Sequence, residues 1–251
     1  MCIRDSPTFR RITENIRRLR NAGVICDIRT TVTSLNLPYL RDFADFLGSE
    51  FGMERFNFPP LSMFRSDGSL VDVSILPDPK EYIEFLRYMV LEKGVLPTKI
   101  HPIDSHAKTY LSGNRVRTPC GMARGHVIEI DPEGYIWPCS YLMGDREYCM
   151  GHIEDMNALS LDWFRELNAR LYPLSCTESF EHCRRCDLKS MCGGGCAIPW
   201  MRIRTLKGEE RELAERYSMG IYCGVAELAF EIMSVYFTEE VYRGRMGLVG
   251  A

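Results

Sequence analysis

Residues 183–196 read CRRCDLKSMCGGGC, four thiols within fourteen residues. Cys183 and Cys186 have the spacing at which a tight loop aims two sulfurs at one centre. Cys192 follows, and Gly193, Gly194 and Gly195 lead on to Cys196. Glycines let a backbone come close to an inorganic centre and turn N–H groups towards negative charge. The chemistry on offer is metal–thiolate binding, in two forms. Zinc takes four thiolates tetrahedrally, often from paired C-x2-C units. An iron–sulfur cube also takes four, and its ligand runs can serve a neighbouring cluster. The second C-x2-C pair of a zinc ribbon is missing here, which tilts the spacing towards iron and sulfide.

Two further thiols fall at one end of an expected hairpin. HVIEID (126–131) and YIWPC (135–139) read as short strands, and D-P-E-G between them is turn chemistry. Folding that hairpin returns Cys139 towards Cys120, so the pair can share a site. Eleven cysteines in 251 residues is too many for incidental use. Their odd number and clustering suit metal in a reducing compartment better than a disulfide framework.

The elements that must position these thiols follow from periodicity. Residues 6–23 predict a helix with Phe9, Ile12, Ile16 and Leu19 on one side, Ser6 or Thr8 as cap and Gly23 as stop. Its five arginines read as a solvated face. A buried strand is expected over 24–33, a helix over 37–52, a strand over 53–61 stopped by Pro59 and Pro60, and a helix over 78–94. Alternating strands and helices with short connections predict a parallel α/β sheet. Two strands alone cannot bury both faces of such a sheet, so the expectation is that this chain starts inside a fold. MCIRDS at the start matches the translation of a transposase end used in sequencing libraries, and residues 1–6 are read as such a scar. From about residue 95 prolines, turns and cysteines dominate, and a helix is expected near 224–237.

The net charge of −3, with 45% hydrophobic and 26% charged residues, is that of an ordinary soluble protein. No basic excess points to nucleic acid, no apolar run suggests a membrane span, and no signal-peptide core is evident, so the cytoplasm is expected.

The whole array resembles a known family. Cys120, Gly134, Cys139, Cys183-x2-Cys186-x5-Cys192-x3-Cys196 and Cys223 are similar to the seven-cysteine signature of the SPASM domain, which follows the barrel of many radical S-adenosylmethionine enzymes. GHIED…LDWF (151–164) resembles the segment those domains carry between their second and third cysteines. The resemblance implies the C-terminal part of an incomplete (β/α)6 barrel over 7–94, a bridge over 95–117, a cysteine-rich α+β SPASM domain over 118–237 and a tail over 238–251. It implies two auxiliary [4Fe–4S] clusters: the first on Cys120, Cys139 and Cys196, the second on Cys183, Cys186, Cys192 and Cys223. Fully ligated relatives have an eighth cysteine where this chain has Asn114, so the first cluster is expected to have an open or labile iron, with Cys149 or Cys176 as alternative caps. Cys2 and Cys26 read as incidental.

The same resemblance implies S-adenosylmethionine and a third cluster in the full-length enzyme, held by a C-x3-C-x2-C loop that this chain lacks. The chain alone is expected to be inactive. Arg29 and Leu61 are candidate contacts to S-adenosylmethionine, by their positions on late strands. A peptide or protein is the implied substrate, and flavodoxin or ferredoxin the implied reductant. Asp104, His106 and His126 are candidate proton carriers near the bridge and hairpin, or simply solvated loop residues. An electron-transfer module and a structural zinc protein are the rival readings.

Overall fold

The structure of the protein is a computed structural model describing residues 6–116, 118, 120–122, 127–155, 161–175 and 177–243. Cys2, His126 and Cys176 lie outside the described residues.

α1 (Pro7–Asn21) begins where the Ser6 hydroxyl accepts from the Phe9 amide, with Pro7 in the first turn. α2 (Leu40–Phe51) stops at Gly52, whose φ of 60° suits a residue without Cβ. β1 (Phe56–Asn57) follows. α3 (Pro79–Leu91) is capped by Asp78, whose carboxylate accepts from the amides of Lys80 and Glu81. β2 (Ile100–His101) then pairs parallel with β1, Phe56 opposite Ile100 and Asn57 opposite His101. On the other side of β1, Arg29 bridges to Asn57 and Val32 to Pro60, again parallel. Three parallel runs joined by helices make the expected α/β ribbon.

Two expectations are corrected here. Residues 24–33 form only those two bridges, and Ile25 is 91% exposed. Val32 enters the first core and Ile28 packs against it, but no strand among the described residues pairs with the outer edge of that segment, and much of the rest of it stays exposed. Residues 95–112, expected as bridge, instead contribute β2 and α4 (Ile103–Ser112) to the first core. Ile100, Ile103 and Ala107 pack there with Leu40, Leu47 and Leu86.

The cysteine-rich part starts with an antiparallel hairpin, β3 (Glu129–Ile130) and β4 (Ile136–Trp137), shorter than the sequence predicts. Asp131 builds its turn by accepting from the Tyr135 amide and the Trp137 indole, both at 2.8 Å. Gly134 sits at φ 90° with the His152 ring over it, and a Cβ there would lie 2.6 Å from Nε2. α5 (Leu161–Ser175), α6 (Glu181–Arg184), α7 (Lys189–Cys192) and α8 (Ala197–Ile203) follow.

α9 (Gly208–Arg243) closes the fold and is much longer than the expected 224–237. Ile221, Val225, Leu228, Ala229, Ile232 and Met233 enter the first core. Close approach to α3 needs glycine: a Cβ on Gly220 would meet Pro79 at 2.8 Å. The Arg87 guanidinium ties α3 to the Glu231 carboxylate of α9. By length and composition α9 is long and apolar enough to cross a membrane, contrary to the expectation from sequence. Its apolar stripe is the one that seals this core.

Two smaller cores hold the cysteine-rich part together. One gathers Met122, Ile136, Leu142, Leu171 and Ile198, with Cys120, Cys139 and Cys196 packed on it. The other joins Phe180, Cys183, Trp200 and Ile203 to Met63 and Phe64 of the loop after β1. That shared core fixes the cysteine-rich part against the end of the parallel ribbon. Arg202 reinforces the joint, donating to Asp145 at 3.2 Å and to the Ser66 carbonyl at 3.3 Å.

Candidate metal centres

Gly193, Gly194 and Gly195 adopt φ values of 67°, 89° and 71° in succession, a path that side-chain-bearing residues rarely take. That path turns the chain from α7 back into α8. The Trp200 indole locks it by donating to the Gly194 carbonyl at 2.8 Å. Burial raises the pKa of the Cys192 thiol, and amide donation from Gly194 and Gly195 to its sulfur pulls only partly against that.

Five of the seven thiols are raised, and the neighbours that raise them fall into two groups. Burial pushes Cys183 up to about 12, and the neighbouring Cys192 and Cys186 push it the same way. Cys223, carried by α9, is likewise raised to about 12 by burial and then by Cys192, Cys183 and Cys186. The second group behaves in parallel: burial, then Cys120 and Cys139, raise Cys196 to about 12. Cys139 is raised by burial and Cys120, against amide donation from Tyr141. Unliganded, such thiols stay protonated at neutral pH, whereas a bound metal deprotonates its thiol ligands outright.

Among the described residues, no three Cys, His, Asp or Glu side chains close tightly enough to hold a single metal ion. Four thiolates about 2.3 Å from zinc would stand about 3.8 Å apart. A cube sets its ligands wider, one on each of four separate irons. Thiols that feel one another's charge, glycine amides aimed at a sulfur and a largely buried setting fit such a cluster.

The other singled-out residues lie apart or serve packing. The Cys149 sulfur turns to the Gly151 carbonyl at 3.9 Å, and Cys26 lies near the Val24 carbonyl at 3.7 Å. Asn114 is exposed beyond the end of α4. Leu61 packs in the core shared with Cys183. His106 is buried in α4, where burial lowers its pKa against a hydrogen bond with the Met191 backbone. Asp104 accepts from Lys108 at 2.9 Å and faces His101 at 3.2 Å. With Asp27, Arg55 and Asn57 it lines a polar hollow of about 110 Å³ beside β1 and β2.

Buried tyrosines brace both halves and one, Tyr217, joins them, and sequence reasoning passes over them because they carry no motif of their own. The Tyr82 hydroxyl donates to the Phe58 carbonyl and the Tyr217 hydroxyl to the Leu61 carbonyl, each at 2.8 Å. Tyr222 lies over Gly195, whose Cβ position is 3.0 Å from its ring. Tyr141 packs on the same core as Cys120, Cys139 and Cys196. Burial raises its pKa first and the charge of Cys196 next, while Arg29 and Ser62 pull it down. The one available sequence signal is position: Tyr141 is two residues after Cys139, and Tyr222 immediately precedes Cys223.

No family model and no curated protein sequence matches the chain. Solved structures do. Native anSMEcpe with bound AdoMet is similar at a TM-score of 0.59 and 19% identity, over 91% of this chain and 61% of that one. Native anSMEcpe with AdoMet and the Kp18Cys peptide gives a TM-score of 0.60 and 19% identity, over 92% and 63%. The hexahistidine-tagged form with AdoMet gives 0.61 and 19%, over 92% and 60%. The class these define is the radical S-adenosylmethionine/SPASM enzyme, and the chain shares their fold over about nine-tenths of its own length. Their particular protein is an anaerobic sulfatase-maturating enzyme, of which this chain spans about three-fifths of the length.

Proposed function

We propose that this chain is the C-terminal part of a radical S-adenosylmethionine enzyme that modifies a peptide or protein, and that it carries two auxiliary [4Fe–4S] clusters. The observation that carries the reading is the separation of the thiols on this fold, with Cys120, Cys139 and Cys196 packed on one core and Cys183 in another beside Cys186, Cys192 and Cys223. Cys183, Cys186, Cys192 and Cys223 would hold one cluster, and Cys120, Cys139 and Cys196 the other. Bound there, such clusters supply one-electron chemistry or an iron that binds substrate.

The chain's own residues do the positioning. The glycine path and the Trp200 indole hold Cys192 and Cys196 at fixed separation, so one short segment feeds both groups. Buried aromatic side chains around Cys183 and Cys196 keep water from them, which protects oxygen- and water-sensitive centres. Arg29, on the parallel ribbon near Tyr141, and Leu61, whose backbone is fixed between Val32 and Tyr217, are the candidate contacts to S-adenosylmethionine. The neighbours bound to AdoMet and to peptides support the substrate class. The upstream C-x3-C-x2-C loop, a flavodoxin or ferredoxin reductant and a cytoplasmic setting complete the proposal, and this chain by itself would not cleave S-adenosylmethionine.

The test is iron, acid-labile sulfide and zinc per chain after anaerobic reconstitution. About eight irons and eight sulfides are expected. Cys183→Ser and Cys196→Ser should each lose about four irons, and the double variant nearly all. Zinc without sulfide would instead make the chain a structural zinc protein.

A further inference from the structure

The parallel ribbon has two faces. Ile28, Phe56, Phe58 and Ile100 face the first core. The alternate residues Asp27, Arg55, Asn57, Lys99 and His101 line, with Asp104, the polar hollow of about 110 Å³. Asn57 is level with Arg29 and His101, and Asp27, Arg55 and Lys99 each stand two residues earlier in their runs. The hollow thus lies towards the start of the ribbon, whereas Leu61 and the core that holds Cys183 follow the end of β1. Some of its polar groups have partners: Asp104 is taken by His101 and Lys108, and Lys99 by Glu54. Three groups do not. The Asn57 Oδ1 is buried with no hydrogen-bond partner, which folded proteins rarely leave without a ligand or water to answer it. Neither the Asp27 carboxylate nor the Arg55 guanidinium has a hydrogen bond or ion pair among the described residues.

We infer that this hollow binds the zwitterion of a small amino acid, whose ammonium donates to Asp27 and the Asn57 oxygen and whose carboxylate accepts from Arg55. The groups left over are one carboxylate, one amide oxygen and one guanidinium, so the ligand must bring both a cation and an anion. A lone carboxylate would meet Arg55 but also the oxygens of Asp27 and Asn57. A lone ammonium would meet the guanidinium. Each is opposed by one of the three, and only a molecule with both charges satisfies them all. A hollow of this volume has room for a molecule of glycine's size, with a larger side chain directed out of its mouth. It shares no residue with the thiol groups, so it would bind whether or not clusters form.

Equilibrium dialysis of the full chain against radiolabelled glycine tests this. A single saturable class of site is expected in the wild type. Asp27→Asn and Arg55→Gln remove one charge each from exposed positions, and each should weaken glycine by roughly tenfold or more. Competition on the wild-type chain gives a second measurement that needs no variant to fold. Unlabelled glycine and alanine should displace the label, while acetate and methylammonium, each with half of the charge pair, should need roughly tenfold more or fail. No saturable binding would mean that the hollow holds water only, and would overturn the assignment. Acetate competing as well as glycine would make it a plain anion site, and binding that survives both variants would put glycine elsewhere; either result overturns it. S-adenosylmethionine bears the same amino and carboxylate groups on a larger body. Displacement by it at lower concentration than by glycine would make the hollow one end of a cofactor site and overturn a separate amino-acid site. Iron and sulfide content should be the same in both variants as in the wild type, so failure here leaves the two-cluster reading standing.

Discussion

At the scale of single residues, Asp104 is the group whose charge the fold uses most visibly. Burial alone would raise its pKa, but hydrogen bonds from His101 and Lys108 and the lysine charge outweigh it, leaving the carboxylate at about 2. A carboxylate held below its unfolded value of 3.8 stabilises the fold at every pH above that value. The contribution is lost as pH falls from about 4 towards 2, and amounts to on the order of 2 kcal/mol. Asp104→Asn should cost about that much in urea unfolding near neutral pH and flatten the acid limb of the stability profile. An unchanged acid limb in the variant would show that another carboxylate governs it. In the sequence Asp104 reads as a candidate proton carrier near the bridge or as a solvated loop residue, not as a stabilising carboxylate. Its role depends on His101 and Lys108 one helical turn away on either side, a pattern that ordinary solvated surfaces share.

At the scale of elements, what the sequence declares is what local chemistry decides. Ser6, Asp78 and Gly52 mark the ends of their helices in sequence and mark them in the structure. The three glycines between Cys192 and Cys196 likewise announce a path that side chains would obstruct, and all three adopt left-handed φ in the structure. What stays illegible depends on partners far along the chain. The strand over 24–33 reads as buried because its residues are β-branched, yet burial requires a neighbour on both sides. The early turns of α9 escape the sequence reading because the periodic apolar stripe is divided between two cores. Ala214 and Tyr217 belong to the core around Trp200, and Ile221 onwards to the core around Leu86. Gly220 makes this dependence measurable. It reads as a weak point inside a helix, where glycine costs about 1 kcal/mol relative to alanine. Here, however, α3 approaches so closely that a Cβ would meet Pro79 at 2.8 Å. Gly220→Leu should therefore destabilise by about 1–3 kcal/mol through overpacking, despite its better helix propensity. Thermal unfolding monitored by circular dichroism would check it, and a stabilised variant would mean that α9 does not sit against Pro79.

At the scale of the whole molecule, the three cores differ in whether they depend on thiols. The first core, around Leu40, Leu86 and Leu228, contains no cysteine among the described residues. The second has Cys120, Cys139 and Cys196 packed against it, and Cys183 is itself part of the third. If clusters cross-link the last two cores, removing the metal leaves buried thiols that reprotonate to a neutral form. The charge cost is small, but the cross-link between α7, α8 and the hairpin is gone. α9 spans the boundary, with Cys223 between Ile221 and Val225 of the first core. Its C-terminal half is held by apolar packing and the Arg87–Glu231 pair, whereas its N-terminal half leans on the third core. Hydrogen exchange on the reconstituted chain, before and after anaerobic chelation, should then separate two classes of amide. Those of α3 and of residues 221–233 should keep their protection. Those of residues 136–150 and 189–203, and of the first turns of α9, should lose most of theirs. Equal loss of protection across α3 would mean that the clusters stabilise one undivided unit. Unchanged exchange throughout 189–203 would mean that the glycine path and its thiols are rigid without metal, and that the cluster is not what holds the cysteine-rich part together.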